Sequence, residues 1–491
     1  MANKKSAHKK VSSIEKAIYA WKKEAFTPKD MNNTKNKNPY ILQINAGATH
    51  GGASGIAVGL FEELCQRGYP SKIATSCPHP SKQNFLQIPR NTYTDAKNLW
   101  EQAFFFLCRQ TKKYVGKVKG AGRFTNFLYN IGRPSCLLKN LRGIENFENY
   151  PGTRNFFENL SPFPDIIHGH NLHGRYFDLS ILPELSKKTP VFLTLHDEWM
   201  FTGHCACTLD CEKWKSGCDN CTNLSTYDPL WRDTTRYNLK QKETIYINSK
   251  LHLITPSQWL MDRAKQSVLA QGIKTSNVIH NGIDLTLFRS GNKIAARKKT
   301  KLARDSHILL FVANQAKRNP FKDYETLKKA LLFIAENKTT TKPILLICTG
   351  ESDSITMKNN VTIQFVNYIS NRKELVSFYQ AADLLVHATN ADNFPTTILE
   401  ALACGTPVIG TSIGGVPEQI TENTGLLYKH KDHIDLAKKI MLLLNNKNLR
   451  DAMAQNAVKD AHDRFDIQKQ VTKQINYYHE VLKLEHCEAT K

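Results

Sequence analysis

Residues 390 to 418, NADNFPTTILEALACGTPVIGTSIGGVPE, constrain this chain more than any other stretch. Two acids, Asp392 and Glu400, stand eight residues apart, and Asn393-Phe394-Pro395 forms a tight loop between them. Thr396-Thr397-Ile398-Leu399 starts an apolar helix that carries Glu400 in its first turns. Gly405-Thr406-Pro407 stops that helix, and Pro407-Val408-Ile409-Gly410 reads as a buried strand. The free amides of the helix N-terminus suit a diphosphate. A carboxylate at Glu400 can accept two hydrogen bonds from a ribose diol, and Asp392, at the mouth, can bind sugar hydroxyls. Gly414-Gly415 lets backbone approach a ligand closely. The plainer alternative is an αβ unit with a solvated Glu. It leaves the two acids, Pro395, the glycine stop and the glycine pair as coincidences.

This stretch resembles the nucleotide-sugar signature of the retaining glycosyltransferase family 4, whose pattern is Glu-x7-Glu; here Asp392 takes the first place. The resemblance runs from about residue 40 to about residue 480. It implies the GT-B fold, an α/β architecture of two Rossmann-like domains facing each other across a cleft.

The rest of the chain fits that scale. Its 491 residues allow two domains with extensions. The net charge of +23 favours nucleic acid, an anionic membrane surface or phosphorylated substrates. No apolar run approaches the ~20 residues that span a bilayer. The lysine-rich start lacks the apolar core of a secretory signal. The expectation is a cytoplasmic protein whose twelve cysteines are mostly reduced, so that clustered ones suggest metal before disulfide.

In order, residues 1–38 form a basic, disordered extension, with ten Lys against Glu15, Glu24 and Asp30. The first Rossmann-like domain, 39–288, opens with the strand run Tyr40 to Asn45. A glycine-rich loop containing Gly51 and Gly52 follows, then a helix from Ile56. A linker covers 289–306, the second domain 307–465, and a C-terminal crossover helix and tail 466–491. Within the first domain, residues 95–150 break the αβ rhythm. There Trp100, Phe104, Phe105, Phe106, Phe124 and Phe127 interleave with Arg109, Lys112, Lys113, Arg123, Lys139 and Arg142. Such helices can lie on an anionic membrane, bind single-stranded nucleic acid, or simply pack on the domain with a solvated basic side.

Two short buried strands end in polar residues, at His168-Gly169-His170-Asn171 and at Leu195-His196-Asp197, and ligands in open α/β sheets bind beyond such ends. The Cys-rich loop 204–221 holds five Cys in seventeen residues. Cys205, Cys211, Cys218 and Cys221 together suit a structural zinc. The alternative is a reduced, packed loop near the acceptor site. The colanic-acid branch of the resembled family carries a similar insertion.

The resemblance assigns roles. His196 contacts the transferred sugar. Lys322, with Arg318 or Lys317, grips the donor diphosphate. Gly51, Gly52, Thr396 and Thr397 face that diphosphate, Glu400 holds the ribose, and Asp392, Asn393, Phe394 and Pro395 surround the sugar. It implies no catalytic metal, in keeping with the lack of any Asp-x-Asp pair, and a UDP- or GDP-sugar as donor. The acceptor is a glycan or lipid-linked chain in bacterial surface polysaccharide biosynthesis, at the inner membrane face, without nucleic acid. The alternatives are an epimerase or hydrolase of the same fold, and a basic membrane- or nucleic-acid-binding adaptor.

Overall fold

The computed structural model describes residues 38–48, 52–76, 84–89 and 98–489, less short gaps at 115–117, 119, 145–146, 148–149, 228, 338–341, 352–353 and 357–358. The basic extension up to residue 37 and Gly51 lie outside the described residues.

Strands in a parallel sheet covered on both faces must be apolar along their whole length. The chain supplies two sets of strands, buried at the centre of each sheet and more exposed toward its edges. The first set is β1 (Ile41–Asn45), β2 (Ser71–Thr75), β3 (Phe85–Gln87), β4 (Ile166–Gly169), β5 (Val191–Thr194), β6 (Leu251–Thr255) and β7 (Ile273–Val278). They form a seven-stranded parallel sheet in the order β3-β2-β1-β4-β5-β6-β7. The second set is β8 (His307–Val312), β9 (Ile344–Thr349), β10 (Ser354–Thr356), β11 (Val361–Val366), β12 (Leu384–His387), β13 (Val408–Thr411) and β14 (Gly425–Tyr428). Its order is β10-β11-β9-β8-β12-β13-β14, parallel except for β10, which pairs antiparallel at the edge.

Each order reverses direction once, between β1 and β4 in the first sheet and between β8 and β12 in the second. A crevice opens beyond the strand ends at such a switch point. The glycine-rich loop follows β1, His170 follows β4, Lys322 follows β8 and Asp392 follows β12. The topology therefore delivers the candidate residues to the two crevices.

The chain returns to the first domain at its end. The helix Ile467–Ala489 lays Val471, Ile475, Tyr478 and Val481 against Ile41, Ile166 and Phe192. Its start sits on Gly282, where an added Cβ would meet the Ile467 backbone at 2.6 Å. Only glycine allows that closeness, and the Gly282 N–H donates to the Gln470 side chain at 2.7 Å.

The segment 95–150 supplies the helices Leu99–Lys112, Ala121–Gly132 and Pro134–Leu141. The first two share a small core of Phe105, Cys108, Leu128 and Tyr129, with Phe105 stacked on Tyr129 at 5.5 Å. Trp100, Phe106, Phe124 and Phe127 are each more than half exposed. No helix among the described residues is long and apolar enough to cross a membrane.

The segment 289–306 is not a bare connection: it carries the helix Lys293–Lys299, capped by the Asn292 side chain. Arg297 is buried there. It donates to Asp383 at 2.7 Å and to the carbonyls of Ala381, Arg304 and Ser306. Asp383 also accepts from the Ile308 N–H at the start of β8. One buried pair thus ties the connecting helix to the second sheet. Replacing Arg297 by Met leaves Asp383 buried with fewer donors. The expected cost is about 3 kcal/mol, read as a lower urea midpoint for the second domain; an unchanged midpoint refutes this role.

Candidate active site

The helix Thr396–Ala403 begins at Pro395, whose ring fixes an extended entry (φ −61°, ψ 125°). Glu400 lies on its inner face. The Glu400 Oε2 accepts from the Tyr379 hydroxyl at 2.8 Å, deep in the second domain. Burial pushes the Glu400 carboxyl up to about 7, against the opposing effects of that hydrogen bond and of Arg372. The Tyr379 hydroxyl is raised well above its ordinary range by its own burial and by the neighbouring carboxylate. Glu400, Arg372, Tyr368, Thr396 and Gly52 line one cavity of about 220 Å³. Gly52 comes from the first domain, so this space lies across the cleft.

Asp392 and Lys322 meet directly: Lys322 Nζ lies 2.7 Å from Asp392 Oδ2, and His387 Nε2 lies 3.3 Å from the same oxygen. Burial would raise the Asp392 carboxyl, but Lys322 and His387 hold it far below the usual carboxylate range. His387 in turn contacts the Thr397 hydroxyl through Nδ1, at 3.3 Å. The start of the helix, the acid and the lysine are therefore one network. Lys322, expected to face a diphosphate, has its ammonium on Asp392.

Asn393 spans the cleft. Its Nδ2 donates to the His196 carbonyl at 3.2 Å, and its Oδ1 accepts from Ser257 of the first domain. Glu418 makes a second crossing. Its carboxylate accepts from the N–H groups of Gln258 and Trp259, both at 2.8 Å, and so caps the first-domain helix Gln258–Lys265. Phe394 is buried, stacked on His280 at 5.1 Å and edge-on to Phe465 at 5.9 Å, and lines the cavity described next.

Beside the 220 Å³ cavity lies one of about 110 Å³, which shares Gly52, Ile56 and Thr396 with it and adds His196, Asp392 and Asn393. A third, of about 270 Å³, shares His196, Asp392 and Asn393 and adds Glu198, Cys207 and Trp259. The three follow one another along the cleft, and Asp392 and His196 border both the second and the third.

Several expectations need correction. Gly414-Gly415 serves the protein's own backbone: an added Cβ would meet the Asp392 carbonyl at 2.1 Å from Gly414 and the Asn393 carbonyl at 1.9 Å from Gly415. The pair is a seat for the acid loop. Arg318 is exposed and lines none of the cavities described above. Its loop contributes Asn319 and Phe321 to the cleft instead. The cysteines Cys205, Cys211, Cys218 and Cys221 are free thiols. They line a small cavity with His204 and Cys207, but among the described residues no group of three or more His, Cys, Asp or Glu side chains is placed to hold a metal ion. Cys211 is exposed while the others are partly buried. Trp214 packs against Phe201 beneath the loop, with Arg263 over its ring, so the loop is held by packing. His387, Arg372, Trp259 and Glu418 escaped the sequence reading. Only His387 had a usable signal, since it ends a buried strand as His170 does.

Residues 292–460 match the family described as Glycosyl transferases group 1. The second domain is a glycosyl transferases group 1 domain. Over 417 residues the chain is 24% identical to the putative colanic acid biosynthesis glycosyl transferase WcaC of Escherichia coli K12, covering 81% of this chain and 89% of that protein. It is 30% identical over 199 residues to the D-inositol 3-phosphate glycosyltransferase of Corynebacterium efficiens, covering 38% of this chain and 47% of that one. Among solved structures, Anabaena Alr3699/HepE in complex with UDP and glucose superposes with a TM-score of 0.58 at 15% identity, over 90% of this chain and all of that one. That likeness establishes the GT-B architecture.

The raised Glu400 carboxyl has a checkable sign. Its folded value, about 7, lies above the usual value for Glu. The folded protein therefore holds an extra proton between about pH 4.5 and 7. Stability contributed by this group falls as pH rises through that window and levels off above it. Glu400→Gln is expected to remove this slope in thermal unfolding measured from pH 5 to 8; an unaltered slope contradicts the assignment.

Proposed function

We propose that this chain is a retaining, family 4-like hexosyltransferase that moves a sugar from a UDP- or GDP-sugar to a hydroxyl of a glycan or lipid-linked acceptor. The setting is bacterial surface polysaccharide or lipopolysaccharide assembly. The observation that carries the proposal is the line of three cavities. A buried carboxylate, Glu400, stands in the first, and Asp392 and His196 stand where the second and third meet. In this reading the nucleoside lies in the first, the diphosphate in the second, and the sugar, with the acceptor beyond it, in the third.

Glu400 accepts from the ribose diol. The amides of Thr396 and Thr397, the helix N-terminus and Lys322 offset charge on the leaving diphosphate. An incoming diphosphate competes with Asp392 for the Lys322 ammonium and frees the Asp392 carboxylate for sugar hydroxyls. Asn393 keeps the His196 peptide in register with the acid loop. The acceptor hydroxyl attacks from the leaving-group side, and the donor phosphate takes its proton, so configuration is retained. The relation to WcaC supports the polysaccharide setting.

Thermal stability against UDP-, GDP-, ADP- and CMP-sugars tests the donor. A ligand at about 100 times its dissociation constant adds about 2.7 kcal/mol, so one nucleotide class is expected to raise Tm clearly. Glu400→Gln is expected to lower turnover at least about tenfold, the scale of one charged hydrogen bond. No shift with any donor would count against the transferase reading.

The helices Leu99–Lys112 and Ala121–Gly132 support a peripheral site at the inner membrane face. Trp100, Phe106, Phe124 and Phe127 stand exposed among Arg109, Lys112, Lys113 and Arg123. Changing Phe106, Phe124 and Phe127 to Ser, and sparing Trp100, whose indole N–H donates to the Ile131 carbonyl at 3.0 Å between the two helices, is expected to abolish sedimentation with phosphatidylglycerol vesicles while leaving the unfolding temperature unchanged. Equal sedimentation of the variant would remove this surface from the proposal.

A further inference from the structure

Behind His196 lies a row of buried polar side chains that the reaction as described does not use. His170 Nδ1 is 3.1 Å from His196 Nε2, and the two rings are nearly parallel with centroids 5.4 Å apart, the spacing of rings joined end to end by a hydrogen bond. The other nitrogen of His170, Nε2, lies 3.2 Å from the side-chain amide of Gln43 on β1. His168 packs against His170 at 4.2 Å, and its own two nitrogens are tied to Tyr478 and Thr194 at 2.6 and 2.7 Å. The His170 ring is thus held by a close contact with His168 and by a partner at each of its nitrogens.

The Gln43 amide decides the direction of the hydrogen bonds. Gln43 is fully buried beside the helix Gly52–Gln66, where the Ala57 carbonyl and the Phe61 N–H bracket its amide. One orientation satisfies everything. The amide nitrogen donates to the Ala57 carbonyl at 3.0 Å and to His170 Nε2 at 3.2 Å, and the amide oxygen accepts from the Phe61 N–H at 3.1 Å. The reverse sets oxygen against carbonyl and nitrogen against N–H. The assignment rests on this network, as amide orientations do.

The protons then follow in sequence. His170 Nε2 accepts, so the neutral ring carries its proton on Nδ1. His170 Nδ1–H donates to His196 Nε2, so His196 carries its proton on Nδ1. We infer that Gln43, acting through His170, is a positioning residue that holds His196 as the Nδ1–H tautomer, a hydrogen-bond donor toward a hydroxyl of the transferred sugar. The inference rests on the reading of His196 as the sugar-facing histidine. Burial keeps the row neutral: it lowers His170 well below the ordinary imidazole value and His196 to about 4. A His196 whose Nε2 is already engaged is no base for the acceptor proton, in keeping with a proton that leaves on the donor phosphate.

The test is a ligand-free spectrum of the full chain. With 15N-labelled histidine at pH 7, ring nitrogen shifts distinguish protonated from bare nitrogens, and His196→Asn identifies the His196 signals. The expected wild-type pattern is a protonated Nδ1 and a bare Nε2. Gln43→Leu and His170→Phe, each checked for folding by thermal unfolding, are expected to shift His196 toward the Nε2–H form. A bare Nδ1 in the wild type overturns the inference, as does an Nδ1–H form that survives whichever substitutions fold. The wild-type spectrum alone decides the first point if neither variant folds. Because no donor is present, this outcome is separate from the fate of the transferase reading, which stands or falls on nucleotide-sugar binding.

Discussion

Asp392 is a half-buried carboxylate held charged in the wall of the cleft, and the cleft depends on how that is done. Taking an ionised carboxyl partly out of water is unfavourable unless cations and donors meet it. Here Lys322, delivered by β8, and His387, at the end of β12, meet it from adjacent strands. The pair therefore reports the sheet's switch point: only where β8 and β12 lie side by side can the two loops close on one carboxylate. The same closeness seats Gly414 and Gly415 beneath the acid loop. Thr397 then joins the network through His387. Topology, glycine placement and charge neutralisation are three aspects of one arrangement.

The two domains are joined by polar contacts of unusual directness. Asn393 links a carbonyl and a hydroxyl of the first domain, and Glu418 satisfies two helix-end amides there. The crossover helix, which follows the second domain in the chain, packs its apolar face on the first. The domains are thus joined by directional hydrogen bonds at the cleft and by apolar burial along the returning helix.

Much of this was legible in the sequence, for a physical reason. Apolar runs that end in glycine or polar residues announce buried strands with loops at their carboxyl ends, so His170, His196, Lys322 and Asp392 could be placed at strand ends without coordinates. The acid pair, Pro395 and the glycine stop likewise defined the helix Thr396–Ala403. What could not be read was which groups meet. Lys322 and Asp392 are seventy residues apart, and their pairing depends on a strand order that periodicity does not encode. Gly414 and Gly415 announced a close approach but not its partner, which is backbone. The cysteine spacing announced a convergence, and the thiols do line one cavity, but among the described residues no three are placed to hold a metal ion. Arg372 and Trp259 are ordinary residues in their local windows and reach the cavities only through the fold.

The capping of the helix Gln258–Lys265 by Glu418 has a mechanical consequence. A helix end whose amides are satisfied by its own chain is indifferent to the motion of its neighbours. This one divides its cap between the domains: Ser257 accepts from the Leu260 N–H, while the Gln258 and Trp259 N–H groups rely on Glu418 of the opposite domain, so any widening of the mouth would leave those two donors without their acceptor. The first turn of the helix holds Trp259, a wall of the third cavity. The shape of that wall is therefore tied to the separation of the domains, because the two amides that open the turn find their acceptor on the other side of the cleft.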